Sequence, residues 1–130
     1  MLFFLSVLVV ATTGFAENLI LENQTSYPTK NQNSKIAVQW ATSAKEVNEA
    51  NNAMLQGLQL NSNTLQVLTQ SGKINLSIPE KAEYFRLLTW SKGEGDPDFL
   101  TNWVDVVPNK TYTLKEEHLV PSVLMSGVGC

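Results

Sequence analysis

The chain of 130 residues holds one cysteine, Cys130, and one histidine, His118. A single cysteine excludes an intrachain disulfide, so the core must be held by apolar burial alone. One histidine excludes the paired-histidine zinc motifs, and neither a GxSxG elbow nor an HExxH helix occurs. A pairing of Cys130 with His118 would set the nucleophile on the Gly-flanked run Ser126-Gly127-Val128-Gly129, away from any preorganised scaffold. Basic charge is short as well. Nine Lys and Arg against twelve Asp and Glu leave a net charge of −3, which gives no electrostatic case for nucleic acid or an anionic membrane. The expectation is a non-enzyme with no cofactor, no metal and no nucleic-acid partner.

Long apolar runs are also scarce, and the one that exists is informative. Met1 to Ala16 carries no charged side chain, ends on the small-x-small pattern Gly14-Phe15-Ala16, and is followed by Glu17-Asn18. This is the pattern of a secretory signal peptide, although its start has only the Met1 amino group for positive charge. A bilayer span needs about 20 residues, which this run does not reach. The expected organisation is a signal peptide over 1–16 and one domain over 17–130, exported to the periplasm or the exterior, with no stable membrane span after cleavage. In that setting Cys130 is either an idle thiol or the site of an interchain disulfide. It stands in neither the prenylation nor the lipoprotein position.

Period-two alternation dominates what remains. Lys73 to Ile78 sends Ile74, Leu76 and Ile78 to one face, and Lys35 to Trp40 does the same with Ile36, Val38 and Trp40, each with a polar opposite face. Tyr84 to Trp90 is apolar on both faces and predicts a central strand. Further strands are predicted at 103–107, 111–116 and 120–125, with Leu19 to Leu21 as a first edge strand. Asn61-Ser62-Asn63 and Ser71-Gly72 predict hairpin turns either side of Leu65 to Leu68. Ser43-Ala44-Lys45-Glu46 has capping-box spacing, and Val47, Ala50 and Met54 fall at helical intervals before Gly57. A short helix from Ala44 to about Leu55 follows, against the poor helix propensity of Asn48, Asn51 and Asn52. The Asn-rich stretch Asn23 to Asn33 reads as loop.

Two segments carry a resemblance. Ile36-Ala37-Val38-Gln39-Trp40 resembles the early core strand of a fibronectin type III domain, where alternating apolar residues lead to a buried tryptophan. Val106-Val107-Pro108-Asn109-Lys110-Thr111-Tyr112 resembles the later segment of that family that makes a tyrosine corner. The resemblance implies an immunoglobulin-like antiparallel β-sandwich of about seven strands, with Trp40 in the core and Tyr112 at the corner. The interval between the two motifs requires an inserted helix or hairpin around 44–60. The fold class says little about function.

The densest polar cluster is Ser91 to Asp98, continuing to Asn102. Glu94, Asp96 and Asp98 are oxygen donors of the kind that hold Ca²⁺, yet the EF-hand order is missing, and Gly93, Gly95 and Pro97 are ordinary turn residues. The aromatic residues Trp90, Phe99 and Trp103 flank these carboxylates and Asn102. Flat rings beside amide and carboxylate groups suit a shallow site for a peptide or sugar, whereas the same tryptophans in strands suit a core. Three Asn-x-Ser/Thr sequons, at Asn23, Asn75 and Asn109, have meaning only in a glycosylating host. The functional expectation is an exported, non-catalytic binding or adhesion module recognising a protein or glycan through the loop from Trp90 to Trp103. A structural or assembly subunit pairing through an edge strand, 19–21 or 120–125, is the alternative, and a small secreted hydrolase or inhibitor is the third.

Overall fold

Alternation along the strands decides the architecture, because each apolar face needs a second face to cover it. The computed structural model describes residues 17–28, 33–57, 59–92 and 95–122. The expected signal peptide, Cys130, Glu94 and the end of the 120–125 strand lie outside these residues.

The described residues form a mostly β protein of two sheets, nine strands and one short helix, packed as a β-sandwich. The strands are β1 (Asn18–Asn23), β2 (Lys35–Ala41), β3 (Leu65–Leu68), β4 (Gly72–Ser77), β5 (Tyr84–Trp90), β6 (Phe99–Leu100), β7 (Val104–Asp105), β8 (Thr111–Leu114) and β9 (Val120–Pro121), with helix α1 (Ala44–Leu55) after β2. One sheet runs β4-β1-β8 and the other β3-β2-β5-β6-β9, with β7 also paired to β5. Leu19, Leu21, Leu76 and Leu114 from the first sheet meet Ile36, Val38, Trp40, Phe85 and Leu87 from the second in the main core.

Trp40 lies in that core, its ring 5.6 Å from Phe85, and Phe85 stands edge-on to Tyr112 at 4.9 Å. The hydroxyl of Tyr112 donates to the carbonyl of Asp105 at 2.5 Å and accepts from the Val107 amide at 3.0 Å. It therefore pins the turn by which the chain leaves β7 in one sheet and enters β8 in the other. Strand β5 is central as expected, paired with β2 on one edge and with β6 and β7 on the other. Helix α1 is also where the spacing put it. The Ser43 hydroxyl accepts from the Glu46 amide at 3.2 Å, while the Glu46 carboxylate reaches the Thr42 amide at 2.7 Å rather than that of Ser43. That bond holds the Glu46 carboxyl below its ordinary pKa.

Several expectations are corrected. Leu19 to Leu21 is no edge: β1 runs between β4, antiparallel from Asn18↔Ser77 to Asn23↔Gly72, and β8, parallel from Ile20↔Thr111 to Asn23↔Leu114. Alternation identifies which face is buried and is silent about neighbours. Ser71-Gly72 is not a hairpin, because β3 pairs with β2 and β4 with β1, so the chain crosses there between sheets. Gly72 takes φ 88°, a left-handed value that favours glycine. Asn61-Ser62-Asn63 leads into a 3₁₀ turn, Ser62–Thr64, with no strand at Gln59 and Leu60. The polar face of β2 is not wet either. Gln39 is 3% exposed, since α1 and the loops cover that side, where Ala37, Leu88, Trp90 and Leu100 form a second small core. The predicted strand at 103–107 shortens to β7, and that at 111–116 to β8 followed by a 3₁₀ turn at Glu116–His118. Strand β6 falls inside the segment read as a loop, so nine described strands stand where about seven were expected.

Candidate functional site

The residues singled out between 90 and 103 divide among three places. Trp90 is buried, its indole N–H donating to the Gly95 carbonyl at 2.8 Å and its ring facing Lys35 Nζ at 4.3 Å. Asp98 closes the loop. Its amide donates to the Thr89 carbonyl, its carboxylate accepts from the Ser91 amide at 3.1 Å, and its carbonyl accepts from the Ser122 amide. Asp96 and Asn102 are exposed, and Phe99 is half-buried in register with Thr89. Trp103 lies elsewhere, over the outer face of the six-stranded sheet beside α1, with its indole N–H on Asn51 Oδ1 at 3.1 Å. The cluster is thus a tied turn between two separated tryptophans. Among the described residues no group of three or more His, Cys, Asp or Glu stands together as a metal site.

Two features stand out that the motifs did not reveal. The first is Arg86, in the middle of β5 and only 2% exposed. Its Nε donates to Gln39 Oε1 at 2.7 Å and its Nη1 to Asn51 Oδ1 at 3.1 Å, while the guanidinium carbon stands 4.4 Å from the Trp103 ring centre. Nη2 has no acceptor among the described residues. Burial pushes its pKa down to about 10, so it stays charged at neutral pH. The sequence signal was there: a cation between Phe85 and Leu87 in a strand with no other charge.

The second is a cleft of about 450 Å³ that opens between β8 and the β6–β7 side of the other sheet. Its floor is core: Leu21, Phe85, Leu87 and Leu114, with Val104 and Val120 on its walls. Asn102, Thr113, Glu117 and His118 give it a polar rim. The Lys115 amide donates to His118 Nδ1 at 3.0 Å, which anchors the 3₁₀ turn at that rim and leaves Nε2 as the protonated nitrogen of the neutral ring. Among the described residues strand β8 pairs only with β1, and its other edge borders this cleft. No sequence signal marked the cleft, because it is made by the spacing of two sheets rather than by any run of residues.

Chemically, the cleft can desolvate an apolar group of moderate size while its rim hydrogen-bonds what remains outside. No protein-family model matches the chain, and no curated protein matches it.

Proposed function

We propose that the protein is an exported, non-catalytic binding module with an immunoglobulin-like sandwich, and that it takes an apolar segment of a protein partner into the cleft beside β8. The single observation that carries the reading is that cleft: apolar core side chains at the floor of a 450 Å³ opening with a polar rim. Its size is that of ordinary ligand sites, roughly 300–1,000 Å³. The apolar floor favours a protein group over a glycan. Export is supported by the uncharged run Met1 to Ala16 with its small-x-small end. The immunoglobulin-like reading is supported by the pairings β1·β4, β2·β5 and β2·β3, which follow the Greek-key pattern of such domains. The parallel β8 and the position of Tyr112 within β8, bonded back to the turn after β7, depart from it.

The cleft reading is tested with an uncharged apolar dye, N-phenyl-1-naphthylamine, titrated into the protein. Saturable fluorescence enhancement is expected at one site. Thr113→Trp, which puts a bulky ring on the rim, should abolish it, and Asp96→Ala should leave it unchanged. Absence of saturation, or loss of binding in Asp96→Ala alone, contradicts the proposal.

The edge of β8 that has no neighbour among the described residues also supports a second reading, an assembly subunit that gains a strand from another chain. Light scattering during size exclusion separates the two, since an assembly subunit should not stay monomeric as its concentration rises.

A further inference from the structure

Arg86 lies on the outer face of the six-stranded sheet, the opposite face from the cleft, and nothing in the binding reading uses it. A guanidinium offers five N–H donors in a fixed fork that matches the oxygens of carboxylate and phosphate groups. Two of its nitrogens here meet only neutral acceptors, Gln39 Oε1 and Asn51 Oδ1. The Trp103 ring supplies cation–π attraction but no lone pair for Nη2. A buried charge is ordinarily paired, and a buried donor is ordinarily bonded. Arg86 meets neither condition among the described residues.

The side chains that cover this cation, Asn51 and Trp103, are themselves only half-buried, and Trp103 is placed between exposed Asn102 and exposed Val104. Asn51 Oδ1 accepts from both Arg86 and Trp103, so one amide oxygen holds the ring over the guanidinium. That bond and the stacking on the guanidinium at 4.4 Å are the contacts that hold the half-buried ring in place.

We propose that Arg86 Nη2 is the anchor of an oxyanion site, taking a carboxylate or phosphate group admitted when the Trp103 ring moves off the guanidinium. The incoming oxygen accepts from Nη2 and compensates the buried charge, while Asn51 and Gln39 keep the fork oriented. Trp103 acts as the lid.

The test follows the indole N–H of Trp103 and the Nε–H of Arg86 by NMR while sodium acetate, sodium phosphate or sodium chloride is added at constant ionic strength. Saturable shifts of both signals with acetate, with phosphate or with both are expected, and none with chloride; the two arms distinguish a carboxylate ligand from a phosphate one. In Arg86→Gln the Trp103 shift should vanish. Trp103→Phe keeps the cation and removes the indole bond to Asn51, so the Arg86 signal should saturate at several-fold lower anion concentration, which decides the matter even where Arg86→Gln fails to fold. Equal, unsaturated shifts with all three salts, an undiminished Trp103 shift in Arg86→Gln, or unchanged or weaker binding in Trp103→Phe would overturn the proposal.

Discussion

At the scale of the residue, two buried polar groups in β5 are left incompletely bonded, and they call for different explanations. Thr89 is fully buried and its hydroxyl finds no acceptor among the described residues. An orphaned buried hydroxyl costs stability, and an isosteric apolar side chain avoids the cost. Thr89→Val is expected to stabilise the fold by about 1 kcal/mol in chemical denaturation, and a loss of stability would show that the hydroxyl is bonded after all. Arg86, three residues earlier and on the opposite face of the strand, cannot be treated so simply. Its partners Gln39 and Asn51 would lose a donor with it, so its removal trades a buried charge for an orphaned amide oxygen on buried Gln39. The residue scale is also where sequence reading worked best. Trp40 and Tyr112 were placed in the core and at the corner from short motifs, because a large ring in an alternating strand and a tyrosine after a proline turn each have few ways to be satisfied.

Elements were legible in proportion to their length. Strands β2, β4 and β5 have six or seven residues each; β2 and β4 were read from alternation and β5 from an apolar run on both faces, and α1 was read from its cap and its apolar spacing. Strands β6, β7 and β9 have two residues each, too few to show a period, and β6 was hidden in a turn-rich stretch. What alternation does not encode is the partner. That is why β1 was placed at an edge and why β3 and β4 were joined as a hairpin across what is a crossing between sheets. The link from β7 to β8 makes a prediction at this scale. Tyr112→Phe keeps the ring against Phe85 and deletes the hydroxyl that joins Asp105 and Val107. It should cost about 1–2 kcal/mol, read as a lower denaturation midpoint with an unchanged slope. An unchanged midpoint would mean that the turn is held by its backbone alone.

For the whole molecule, the consequence of the topology is an incomplete seam. Among the described residues a three-stranded sheet faces a six-stranded one, and the cleft lies beside β8. Of the residues singled out from Trp90 to Trp103, Asp98 ties a turn, Trp90 fills the second core, Trp103 covers Arg86, and Asn102 lies on the rim of the cleft. The proposed binding surface was therefore the least legible part of the sequence, since it depends on which sheets face each other and how far apart their edges fall. The most direct measurement is methyl NMR of the protein with N-phenyl-1-naphthylamine at saturation. The account predicts that the shifted methyls are those of Leu21, Leu87, Leu114 and Val120, which face the cleft. Shifts confined to residues between Trp90 and Trp103, or no shifts at all, would contradict it.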